Sequence, residues 1–165
     1  MLIEDCFDKG DFVVYPAHGV GKILRVELQQ VGTFNLKVYV IAFEKERMTL
    51  RLPVGKSKAA GLRSLSSHKD MEVALSTLRS RSRLRRMMWS RRAQEYENKI
   101  NSGDPTSIAE VIRDLHRNSS QPDQSYSERQ IYKVALDRLT RELAAVEQID
   151  EEAALNRLEQ MLTAA

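Results

Sequence analysis

Seven arginines fall within residues 79–92, as Arg79, Arg81, Arg83, Arg85, Arg86, Arg91 and Arg92, around Trp89, the only tryptophan of the chain. No acidic residue lies between Glu72 and Glu95. A guanidinium presents a planar fork of donors that matches phosphate oxygens, and a large aromatic among such forks can stack on bases or wedge between them. The chemistry on offer is non-covalent recognition of a polyanion, with nucleic acid as the leading partner. Two structural alternatives stand beside it, since a charge run is commonly a solvated helix face and a lone tryptophan is commonly a core anchor. Seven like charges this close repel one another unless a polyanion neutralises them, which weighs against the first. For Trp89 both roles stay open, because Trp89, Ala93, Tyr96 and Ile100 fall at i, i+4, i+7 and i+11, the spacing of a buried helical stripe.

Other chemistry is sparse. There is no Gly-rich phosphate loop ending in Lys-Ser/Thr and no Ser-His-Asp setting, and carboxylates such as Glu110 and Asp114 read as the polar side of a helix, so no enzyme is expected. The single cysteine, Cys6, excludes an internal disulfide and a multi-cysteine zinc site, and His18, His68 and His116 lack ligand spacing. No metal and no cofactor are expected. Nor does any run approach the roughly 20 apolar residues of a membrane span, and Glu4 and Asp5 sit where a targeting segment would be basic. A cytoplasmic protein with no membrane partner is expected, and nothing demands more than a monomer.

At 165 residues, 42% hydrophobic and 30% charged, the chain has the composition of a folded globular protein. Its net charge of +3 conceals a polarity: residues 67–92 carry eight Lys/Arg against two Asp/Glu, and residues 93–165 carry eight against fourteen. In the field of DNA the basic middle would turn inward and the acidic part away.

The elements that must carry these groups are of two kinds. Residues 12–15, 20–28, 37–43 and 48–52 are β-forming or alternating, separated by turn signals at Gly10-Asp11, His18-Gly19, Gly32-Thr33 and residues 44–47. They predict a small curled sheet or barrel, followed by an irregular connection over 53–67. From about Lys69 the period is helical. Met71, Leu75 and Leu78 mark one helix; Ile108, Val111, Ile112 and Leu115 another; Ile131, Ala135, Leu139, Leu143 and Val146 a longer one; Ala154, Leu155, Leu158 and Leu162 the last. Gly103 suits a C′ position, Asp104 an N-cap and Pro105 a first turn; Ser127 with Gln130 resembles a capping box, and Asp150 starts the final helix. If residues 84–100 were one helix, Leu84, Met87 and Met88 would lie opposite the Trp89 stripe. A break near Met88 resolves this, and it sets Trp89 at a helix entrance between Arg85, Arg86, Arg91 and Arg92, where free amides and the helix dipole favour phosphate. The expectation is an α+β chain of two domains, residues 1–66 and 67–165, the second a compact bundle of about five helices.

The residues also resemble a family. Phe7 followed by Lys9-Gly10-Asp11-Phe12-Val13-Val14-Tyr15-Pro16-Ala17-His18-Gly19-Val20-Gly21 looks like the opening of the CarD/CdnL bacterial transcription regulators, whose first domain is similar to the polymerase-interacting domain of the transcription-repair coupling factor. Trp89-Ser90-Arg91-Arg92, then Lys99-Ile100, Ser102-Gly103-Asp104 and Ala109-Glu110-Val111-Ile112-Arg113-Asp114-Leu115, resembles the family's helical DNA-contacting domain. The resemblance implies a five-stranded Tudor-like domain that docks on the β subunit of RNA polymerase. It further implies a helical domain that touches promoter DNA at the upstream edge of the melted bubble, with a tryptophan wedged in the minor groove. By position the wedge is Trp89 and its phosphate-gripping companions are Arg91 and Arg92. On the polymerase side Arg51 matches a docking arginine, and residues 29–31, including Gln29 and Val31, fall where the docking edge runs. The chain departs from the pattern in lacking a basic residue near Gln29, in carrying Ala93 where an aromatic is expected, and in its extra arginines over residues 81–86.

The implied activity is stabilisation of the open promoter complex, largely independent of sequence, by a cytoplasmic, nucleoid-associated factor. Three to five phosphate contacts would give a salt slope on the order of −3 to −4.5. The competing expectation is a polymerase-docked adaptor whose basic surface binds an acidic protein, with Trp89 buried.

Overall fold

The computed structural model of the chain describes residues 7–81, 88–117 and 124–163. Two compact units, Met1–Leu65 and Ser66–Ala165, divide it.

The first unit is a five-stranded antiparallel sheet of β1 (Phe12–Tyr15), β2 (Gly19–Val31), β3 (Phe34–Phe43), β4 (Met48–Pro53) and β5 (Arg63–Ser64), in the order β4-β3-β2-β1-β5. It is an open sheet and not a closed barrel: β4 and β5 are its edges, and β5 pairs only Ser64 with Val13 and Arg63 with Val14. That two-residue strand lies inside the segment expected to be irregular. β2 and β3 run further than their alternation suggests, pairing in register to Val31 and Phe34 around the Gly32-Thr33 turn. Between Ile23 and Arg25 the register shifts by one residue, a bulge that bends β2 and curls the sheet.

Gly21 shows what the Gly19-Val20-Gly21 motif does beyond turning the chain. A Cβ there would come within 2.7 Å of Phe43 Cε1 and 2.8 Å of Ile41 Cγ2, so only glycine lets these buried side chains lie flat against β2. Val13, Ile23, Tyr39, Ile41 and Phe43 form the core of this unit, edged by Tyr15. His18 stacks on Tyr15 with ring centroids 5.6 Å apart and pairs with Glu46 at 2.8 Å, a structural placement for both.

The second unit holds five helices: α1 (His68–Arg79), α2 (Trp89–Asn101), α3 (Pro105–Leu115), α4 (Tyr126–Glu147) and α5 (Glu151–Thr163). α3 packs on α1, α2 and α4, and α5 on α1 and α4. Their apolar faces meet as the periodicity predicts, with Met71, Leu75, Ile100, Ile112, Leu139 and Leu158 all buried in one cluster. Each such side chain removed from water contributes roughly 1.5–3 kcal/mol. Asp104 caps α3 by accepting from Ser107 N–H at 3.1 Å, Pro105 opens it, and Gly103 takes φ +74 between α2 and α3. The cap of α4 differs from expectation. It is Ser125, which accepts from Glu128 N–H at 3.2 Å, and Ser127 lies inside the helix. Both serines fit the capping pattern, and with Ser125 as the cap Glu128 takes the N3 place of a capping box and still meets the positive end of the dipole. Among the described residues no helix is long and apolar enough to cross a membrane, and no group of three His, Cys, Asp or Glu could hold a metal.

Candidate nucleic-acid interface

α2 starts at Trp89, as the clash of two apolar stripes requires, with Met88 as its N-cap residue. The other four α-helices among the described residues are entered through a side-chain cap: Ser67 for α1, Asp104 for α3, Ser125 for α4, and Asp150, which accepts from Ala153 N–H at 2.7 Å, for α5. α2 has no side-chain cap and no acidic residue in its first turn. Its first turn therefore leaves the positive end of the dipole without a cap or a carboxylate of its own. Met88, 77% exposed, precedes it.

Trp89 is half-buried against the helical core, into which Tyr96 and Ile100 of the same stripe are sunk. The ring is thus part core anchor and part exposed surface. Arg91 is exposed. Arg92, expected beside it as a second phosphate grip, is turned back along the helix. Its guanidinium carbon lies 5.5 Å from the Trp89 ring centre and 5.7 Å from that of Tyr96, and Nη2 donates to Tyr96 Oη at 3.1 Å. The two rings stand 6.3 Å apart at 52°. Arg85 and Arg86 lie outside the described residues. By spacing alone Tyr96 reads as core; its position four residues after Arg92 and seven after Trp89 also puts it on their face.

Beside this group a cleft of about 840 Å³ opens among α1, α2 and α3. Its charged walls are largely paired. Lys99 Nζ meets Glu110 Oε2 at 2.6 Å, Arg113 Nε meets Asp114 Oδ1 at 3.0 Å, and Arg113 Nη1 donates to Ser80 Oγ at 2.9 Å. At the junction of α3 and α4, His116 Nδ1 lies 3.1 Å from Tyr132 Oη. Burial, with Arg117 nearby, holds the His116 imidazole below its ordinary value, and burial pushes the Tyr132 hydroxyl up to about 12.

In the sheet unit, strand pairing brings the other candidate residues together. Val31 faces Phe34, Gln29 faces Leu36, Glu27 faces Val38, and Val40 lies between Arg25 and Arg51. Cross-strand partners and alternate residues share a side of the sheet, so Gln29, Val31 and Arg51 occupy one face. That face is mixed: Phe34 is 75% and Val31 58% exposed, while Glu27 accepts from Arg25 at 2.5 Å and lies 3.6 Å from Arg51. The Arg25 hydrogen bond, together with the charges of Arg25 and Arg51, lowers the Glu27 pKa. The carboxylate thus holds two guanidinium groups on one side of the sheet.

Comparison with known proteins covers both units. Residues 73–159 match the family model described as CarD, C-terminal domain, and residues 7–66 match that described as CarD-like/TRCF RID domain. A protein of Bacillus subtilis (strain 168) named "Putative transcription factor YdeB" is 28% identical over 145 residues, which span 88% of this chain and 95% of that protein.

Proposed function

The chain belongs to the CarD-like family, a family of transcription regulators that interact with RNA polymerase, and on that premise we propose that it stabilises the open promoter complex. The sheet unit, residues 1–66 in this assignment, docks on the polymerase β subunit through the face that carries Gln29, Val31 and Arg51. The helical unit, residues 67–165, meets promoter DNA at the upstream edge of the bubble. The observation that carries the proposal is the place of Trp89: a partly exposed indole on the first turn of a helix without a side-chain cap, with the exposed Arg91 two residues further along.

The chemistry is mechanical and electrostatic. A base step opened at the fork costs a few kcal/mol of lost stacking, and an aromatic wedge that fills it opposes closure of the bubble. Arg91, with Arg85 and Arg86 in the run before the helix, neutralises phosphates and releases counterions. Docking on polymerase holds the wedge at high effective concentration, so weak DNA contacts suffice. Minor-groove and phosphate contacts carry little sequence information, which makes the protein a general promoter factor that acts as a monomer at the nucleoid.

The test is the lifetime of a polymerase–promoter open complex after competitor challenge, without the protein, with it, and with folded Trp89→Ala. Lengthening by the wild type that is mostly lost in the variant is expected. The half-burial of Trp89 also suits an adaptor whose basic surface binds an acidic protein; that role follows if neither form changes the lifetime although both bind polymerase.

A further inference from the structure

We propose that Arg92 is a positioning residue for Trp89 and not a phosphate contact: its guanidinium sets the pose in which the indole meets DNA. This role presupposes the promoter contact of Trp89. On α2, Arg92 lies three residues after Trp89 and four before Tyr96, so all three side chains share one face. The guanidinium lies over both rings, at 5.5 and 5.7 Å, and its hydrogen bond to Tyr96 Oη at 3.1 Å fixes its rotation. Tyr96 is itself buried in the helical core, so the cation is anchored to a rigid element. The indole is then touched by the core and by a held cation, and only its remaining surface is left for a base step. A wedge fixed before binding loses less rotamer freedom on insertion than a free one.

Arginine suits this place in a way that lysine does not. A planar, weakly hydrated guanidinium stacks on aromatic faces and donates in its plane at the same time, whereas an ammonium is a compact, strongly hydrated point charge. In counterion release the two are equivalent, because each neutralises one phosphate. Arg92→Lys therefore separates the roles at constant charge.

Three readouts on the full chain decide. Trp89 is the only tryptophan, so quenching of its emission by acrylamide, a neutral probe, reports how firmly the indole is held in the free protein. Open-complex lifetime reports the wedge, and the salt slope of binding to a forked DNA duplex counts phosphates. Arg92→Lys and Arg92→Gln are both expected to increase quenching and to shorten the lifetime by about three- to tenfold, the scale of one stacked cation and one hydrogen bond. Tyr96→Phe, which keeps the ring and removes the acceptor, shifts both in the same direction by less. Arg92→Lys leaves the salt slope at the wild-type value, while Arg91→Gln lowers its magnitude by about 0.9. The proposal is overturned if Arg92→Lys matches wild type in quenching and lifetime, or if Arg92→Gln lowers the slope as Arg91→Gln does. Should the wild-type chain leave lifetimes unchanged, the promoter role falls, and unchanged quenching in Arg92→Lys would then sink the positioning role as well.

Discussion

Glu142 on α4 accepts two hydrogen bonds from a single residue 76 positions earlier, one from the backbone N–H of Ser66 at 2.9 Å and one from its hydroxyl at 2.7 Å. Glu142 is 3% exposed, so water offers these groups little in exchange. The pair ties Ser66, the first residue of the compact unit Ser66–Ala165, to the longest helix of that unit. Glu142→Ala should cost about 2–4 kcal/mol in the urea unfolding of the helical signal, because it removes two hydrogen bonds to a buried carboxylate. Glu142→Gln, which keeps one carbonyl acceptor, should cost about half as much. A loss below about 0.5 kcal/mol in the alanine variant would mean that the contact contributes nothing net.

The entrance of α4 offers a contrast between two serines two residues apart. Ser125→Ala removes the acceptor for Glu128 N–H and should destabilise by about 1 kcal/mol, whereas Ser127→Ala, inside the helix, should be neutral or slightly stabilising. Thermal unfolding of the two variants side by side checks it, and the reverse order would move the cap to Ser127.

Stability should fall on both sides of neutrality through one contact. His116 is held below its ordinary value of 6.5, so the unfolded chain takes up that proton at a pH where the folded chain does not. Its contribution is complete above about pH 6.5 and declines as pH falls below that value. Tyr132, raised from 10.0 to about 12, stays protonated in the folded chain after the unfolded chain has ionised, so its contribution declines as pH rises from 10 towards 12. In urea midpoints measured against pH, His116→Gln should flatten the acid limb relative to wild type and Tyr132→Phe the alkaline limb. Parallel curves for wild type and both variants would show that neither group is linked to folding.

Local pattern made some of this architecture legible and pairing hid the rest. Four strands and the apolar faces of the helices follow from periods of 2 and 3.6, which a chain carries in its own order. The start of α2 at Trp89 was legible for the same reason, because two opposed stripes cannot share a surface helix. β5 was not, since two residues have no period and Arg63 and Ser64 become a strand only by pairing with Val14 and Val13, about fifty positions away. The same limit hid the common face of Gln29, Val31 and Arg51, which depends on the β2–β3–β4 register. At the candidate interface residue type was informative and direction was not. Arg92 reads as one more cation in a basic run, and only the aromatic rings three residues before it and four after decide where its charge points.

The unguarded entrance of α2 bears on motion as well as charge. A missing cap is worth about 1 kcal/mol, which makes the first turn roughly fivefold more prone to transient opening than a capped one. Trp89 sits on that turn. Arg92 and the core hold the indole while the backbone of that turn opens transiently, so amide exchange in α2 should be fastest where the tryptophan begins it.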